Sequence, residues 1–161
     1  MDTILVLTVI LVATSTFAPG FRRATLPHEL HEFKAGQGLT VSGIDWGKAK
    51  TNVVLILAVG CQPCERSYPF YSHLAEIAKN RPNVRMSIGF FGSQSSGIQY
   101  SATLGAWASS LEVGSFRAVD EKMITVPSIA VTDSRGVIAK SWSGHFSKAA
   151  EDEVVRDLAA R

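Results

Sequence analysis

The chain has only two cysteines, Cys61 and Cys64, and they stand three positions apart in the stretch AVGCQPCERSYP. Thiols at this spacing have three chemical uses: part of a metal site, a structural cross-link, or a dithiol that exchanges electrons. A zinc site asks for four ligands, commonly two such pairs or cysteines joined by histidines. The four histidines, His28, His31, His73 and His145, show no ligand spacing to the pair, so neither a metal nor any other cofactor is expected. As a cross-link the pair does little, because a disulfide stabilises more when it closes a longer loop. Electron exchange fits the surroundings better. The attacking species in thiol–disulfide exchange is the thiolate. Unpaired N–H groups and the dipole at a helix N-terminus stabilise it.

The flanking residues predict that setting. NVVLILAVG (52–60) is a continuous β-branched run, too short for a membrane and suited to a strand buried on both faces. After the cysteines, Tyr68, Tyr71, Leu74, Ala75 and Ala78 recur at helical spacing until NRP (80–82) stops the helix. Cys61 therefore falls at the helix N-terminus as the nucleophile. Cys64, one turn in, is expected to be more buried and to resolve the mixed disulfide. Pro63 costs little early in a helix, where no N–H partner is needed.

Further elements follow in order. VRMSIGFF (84–91) is a strand, SQSSG (93–97) a loop, and residues 98–111 a helix weakened by Gly105. Residues 116–124 read as a short strand or helical turn. PSIAVTD (127–133) and VIAKSWSG (137–144) form a hairpin about the turn SRG (134–136). Residues 147–160 close the chain as an amphipathic helix, with Ser147 as N-cap and acidic residues early. LTVSGIDW (39–46) alternates apolar and polar residues like an edge strand or hairpin arm. The order predicts a right-handed parallel crossover plus an antiparallel edge, an α/β sandwich around a mixed sheet.

At this point the chain resembles the thioredoxin fold. CQPC after an apolar strand has that family's Cys-x-Pro-Cys form. Pro69 stands where the family kinks its active-site helix, and TVPS (125–128) is similar to its cis-proline segment. The resemblance implies a three-layer α/β/α sandwich, with Pro127 beside the cysteines. It also implies that Val126 and Pro127 offer backbone groups to an extended substrate strand. The partners implied are proteins with a dithiol or disulfide, and an upstream protein that donates or accepts electrons. The order of elements looks most like the membrane-anchored, TlpA-like redoxin branch, whose plan the disulfide-handling proteins of methylamine utilisation share. Two departures stand out. Gly60 occupies the place where many relatives carry Trp. VVLILAV also lacks the buried acid that helps move the proton of the second Cys, and neither Glu65 nor Glu76 is placed beside Cys64 by spacing alone.

Two other readings of the pair remain open. A thiol peroxidase of the peroxiredoxin branch needs Thr or Ser three residues before its reactive Cys; Ala58 stands there. A binding module, carrying metal or serving as a scaffold, needs no proton path. His145 in a copper site and PHELHEF (27–33) as a metal-binding helix are the less favoured local readings. Trp142 is read as hairpin packing, and Arg66 as a flank of the pair that either lowers the Cys61 pKa or lies on a solvated face. Trp46, Trp107 and Trp142 are all distant in sequence from the pair, so reduction is expected to change intrinsic fluorescence little.

The rest of the chain sets the organisation. Of 161 residues, 46% are hydrophobic and 19% charged, which supports a core and excludes disorder. A net charge of +2, with no basic stripe, gives no reason to expect nucleic acid. The run TILVLTVILVATSTFA, from Thr3 to Ala18, carries no charge. Thr16-Phe17-Ala18 is a poor cleavage motif and Pro19 follows it, so an uncleaved membrane anchor is expected over a removed signal peptide. The division expected is an anchor or signal segment over 1–21, a linker over 22–38 and a thioredoxin-like domain over 39–161. Asp2 before the run and Arg22-Arg23 after it would leave the domain in the cytoplasm by charge bias. Two arginines are a small bias, and an extracytoplasmic domain is expected, with secreted, periplasmic or cytoplasm-facing placement as alternatives.

Overall fold

A computed structural model describes residues 33–116 and 125–161. The strands are β1 (Thr51–Leu57), β2 (Val84–Phe91), β3 (Glu112–Phe116), β4 (Ser128–Asp133) and β5 (Ile138–Ser143). They form one sheet in the order β3-β2-β1-β4-β5. β1 runs parallel to β2, and β2 to β3, while β4 is antiparallel to both β1 and β5. The helices are α1 (Gln62–Arg66), α2 (Tyr68–Lys79), α3 (Gln94–Thr103), α4 (Ala106–Ser109) and α5 (Lys148–Ala159). This is the α/β fold with a mixed sheet that the order of elements predicts.

Central β1 explains its own composition. Val53, Leu55 and Leu57 face one core, with Ile88, Phe90, Ile129 and Val131 from neighbouring strands. Tyr71 and Leu74 of α2 and Val154 and Leu158 of α5 cover that face. Val54 and Ile56 face a second core with Ala130, Phe116 and Ile138. A strand buried on both faces has no polar alternation to show.

Three expectations shift, and a fourth falls almost wholly outside the described residues. Residues 39–46 are not a strand of the sheet. They cross its second face as a strap, burying Leu39, Val41 and Ile44. Its ladder pairing with the sheet's margins is confined to isolated bridges, Ser42 to Ser115 and, just before the strap, Gly38 to Val137. Gly43, at φ +87°, breaks the extended run. The helix expected from Ile98 begins at Gln94 instead, because the Ser93 hydroxyl accepts the Ser96 N–H at 3.1 Å and caps it. It ends before Gly105, whose φ of +104° separates α3 from α4. The segment expected over 116–124 is described only at Phe116, the last residue of β3; residues 117–124 lie outside the described residues.

The hairpin and closing helix form where expected. Asp133 holds the turn, its Oδ1 accepting the N–H of Arg135 at 2.8 Å and of Val137 at 2.9 Å. Ser147 caps α5, accepting the Ala150 N–H at 3.3 Å. The anchor expected between Thr3 and Ala18, the linker before Phe33, His28 and His31 all lie outside the described residues. Among the described residues no helix is long and apolar enough to cross a membrane.

Candidate active site

β1 ends at Leu57, and the chain turns at once, with the Cys61 N–H donating to the Ala58 carbonyl at 3.2 Å. Gly60 makes the turn at φ +73°, a conformation that a side chain disfavours. Glycine in the place of the expected Trp thus has a local backbone reason. Cys61 is the N-cap of α1, and its Sγ accepts the Cys64 N–H at 3.2 Å. Pro63 lies in the first turn, where its missing N–H is not needed.

The two sulfurs are bonded, with S–S 2.08 Å and Cα–Cα 5.2 Å. Their surroundings differ. Cys61 is partly exposed, whereas Cys64 is 0% exposed. Cys61 lies at the margin of the core and Cys64 inside it.

The helix after the pair is broken. α1 ends at Ser67, whose N–H returns to the Cys64 carbonyl at 3.1 Å, and α2 starts at Tyr68. Pro69, in the first turn of α2, has no N–H to give Glu65, so the helix cannot run on unbroken.

The Val126–Pro127 peptide is cis. β4 meets β1 antiparallel, with Ile56 opposite Ser128. That is the last pair of the register, and Pro127 directly precedes Ser128 in the chain. Val126 packs against both cores. The Pro127 carbonyl accepts the Gly144 N–H at 2.8 Å, which ties the segment to the end of β5.

Spacing alone did not find a side-chain network that joins α1, α2 and α3. The Tyr68 and Tyr100 hydroxyls lie 2.9 Å apart, and the Tyr100 hydroxyl donates to Glu65 Oε1 at 3.2 Å. Burial, then the bond to Tyr100, holds the Tyr68 phenol well above its ordinary pKa. Burial likewise raises that of Tyr71, which lies among Phe70, Trp107 and Phe146. Tyr68 belonged to the helical apolar stripe, which hid its polar end. Trp107 and Trp142 are remote along the chain, yet both pack against the core that encloses Cys64. Trp142 lies in the hairpin under Lys140, whose Nζ is 4.8 Å from the ring centroid. His145 is exposed. Among the described residues no three His, Cys, Asp or Glu side chains gather as a metal site.

No family model matches the sequence, and no curated protein matches it. Solved structures do match in fold. One is a Chlorobium tepidum protein described as a thiol:disulfide interchange protein DsbE. It is 14% identical with a TM-score of 0.58, over 81% of this chain and 97% of that one. A second is the exposed lipoprotein thioredoxin of Streptococcus pneumoniae, 17% identical with a TM-score of 0.54, over 78% and 100%. A third is a yeast mitochondrial 1-Cys peroxiredoxin, 15% identical with a TM-score of 0.58, over 80% and 76%. Fold alone therefore spans disulfide exchange and peroxide chemistry, and the residues must choose between them. The chain has a thioredoxin-like fold, with its single cysteine pair bonded where β1 passes into α1.

Proposed function

We propose that the chain is a protein-disulfide oxidoreductase working through Cys61 and Cys64. The observation that carries this reading is the asymmetry of the pair: a partly exposed Cys61 at a helix cap and a fully enclosed Cys64 one turn on. In the reducing direction, the Cys61 thiolate attacks one sulfur of a partner disulfide and expels the other, which takes up a proton. Cys64, deprotonated, then attacks Cys61 and expels the second partner sulfur, which is protonated in turn. Two electrons and two protons leave the dithiol, the partner becomes a dithiol, and Cys61–Cys64 becomes a disulfide. A second protein restores the pair. Val126 and Pro127 dock the partner's extended strand, a role supported by their place just before Ser128, which pairs with Ile56 near the end of β1.

Ala58 in place of a Thr or Ser argues against peroxide chemistry. For location, we propose an extracytoplasmic domain held at the membrane through the uncharged run from Thr3 to Ala18. The likeness to a pneumococcal protein described as an exposed lipoprotein supports the first part.

The full chain should catalyse reduction of a protein disulfide by dithiothreitol, and Cys61→Ser should reduce that rate to background. Full activity in Cys61→Ser would refute the assignment. Stoichiometric Cu(I) binding without catalysis would replace it with a metal-binding module.

A further inference from the structure

The chain lacks a buried acid on β1, yet α1 carries a carboxylate, Glu65, one helical turn from Cys61. The Glu65 N–H donates to the Cys61 carbonyl at 3.1 Å, so Glu65 lies one helical turn beyond Cys61. Residues four apart share a face, and helical side chains lean toward the N-terminus, which brings Glu65 toward Cys61. Tyr100 reaches this carboxylate from α3. Its one hydroxyl hydrogen goes to Glu65, so the short contact with Tyr68 must be Tyr68 donating to Tyr100. The chain of bonds therefore has a direction, Tyr68 to Tyr100 to Glu65, and ends on an anion that polarises it. Tyr68 is held protonated and acts as a donor.

Among the described residues, the other charges on α1 and α2 line other surfaces. Arg66 and His73 line a cleft against α5 with Lys148, Glu151 and Asp152. Glu76 and Lys79 sit at the far end of α2, beside the start of β2. Tyr71 is buried under the helix, and α3 carries no titratable side chain besides Tyr100. Among the described residues, Glu65 is the charged side chain of α1 that a bond from α3 holds in place.

We propose that Tyr100 is a positioning residue for the dithiol: it fixes the Glu65 carboxylate on the Cys61 face of α1, so that a negative charge opposes the Cys61 thiolate and biases the pair toward giving electrons. This rests on the oxidoreductase reading. A thiolate that is stabilised makes a stronger oxidant, because the reduced form is then favoured. A fixed anion acts in the opposite sense. Helix α3 thus takes part in setting the direction of electron flow.

The test equilibrates the full chain with glutathione buffers across pH and follows Cys61 ionisation by its alkylation rate, in wild type, Glu65→Gln, Tyr100→Phe and the double variant. Glu65→Gln should lower the Cys61 pKa. It should also favour the dithiol over the disulfide by about three- to tenfold, the upper figure being ~30 mV for a two-electron couple. The difference should widen as pH rises through the Cys61 ionisation, because the anion acts on the thiolate. Tyr100→Phe should shift both quantities the same way and by less, since the freed carboxylate moves into solvent. The double variant should match Glu65→Gln alone. A mere packing role for Tyr100 would move stability and leave the potential and its pH profile at wild type, which would overturn the proposal. So would full additivity in the double variant. A wild-type pair that never equilibrates with glutathione would overturn the oxidoreductase reading itself, a different failure from unchanged variants of a working couple.

Discussion

Cys64 has no contact with solvent, and its replacement separates attack from resolution. On the proposed roles, the partly exposed Cys61 of Cys64→Ser should still attack, with nothing to release the partner. A covalent adduct should therefore accumulate, visible by mass spectrometry of the unreduced protein and lost on adding dithiothreitol. A variant that turns over normally without an adduct would contradict the assigned roles. Asp133 offers a second test. The backbone N–H groups of Val137 and Arg135, then the Arg135 side chain, hold its carboxyl below the ordinary value of 3.8. A depressed folded pKa adds stability that is complete above 3.8 and fades as pH falls through the lower folded value. Unfolding curves of wild type and Asp133→Ala should therefore converge as pH falls below that range. At this scale the cysteines, Pro69 and Pro127 were readable because each acts through its own backbone position. Tyr100 was not, because its role depends on which way a distant helix turns toward α1.

Between elements, contact rather than chemistry decides the outcome. A Cβ on Gly114 of β3 would lie 2.6 Å from Val41 Cγ1 and 2.7 Å from the Ser42 carbonyl of the strap. Backbone cannot yield as a side-chain tip can, so Gly114→Ala should destabilise the fold by about 1–3 kcal/mol in denaturant titration. An unchanged midpoint would mean that the strap is loosely held. Ser147→Ala removes the cap of α5 and should cost about 1 kcal/mol by the same measurement. Strand positions were legible wherever hydrophobic runs were bounded by turns: β2 covers the same residues as its run, 84–91. The strap was not, because alternation reports which side chains are buried and not whether the backbone pairs. The Ser-rich start of α3 was read as a loop because a cap and a loop use the same residues.

For the molecule as a whole, folding and redox state are linked. A cross-link over two intervening residues constrains the unfolded chain little, so the folded surroundings of the sulfurs set most of the difference between oxidised and reduced stability. With an anion opposing the Cys61 thiolate, the disulfide form should be the more stable one. The reduced protein should unfold at lower denaturant, each ~1.4 kcal/mol corresponding to ~30 mV of potential relative to the unfolded dithiol. The reverse order would mark the pair as an oxidant.

The strap has a consequence for how the protein keeps company. Gly36 and Gln37 pair with Ile138 on one outer strand, Ser42 exchanges both hydrogen bonds with Ser115 on the other, and Gln94 occupies the Val113 carbonyl. Unpaired strand margins invite other chains to add on, the first step toward aggregation. A protein that docks a partner's extended strand, as we propose, meets that hazard continually. By fastening its own chain across both margins, this domain limits accidental strand addition to itself while leaving the approach to Cys61 available for deliberate contact.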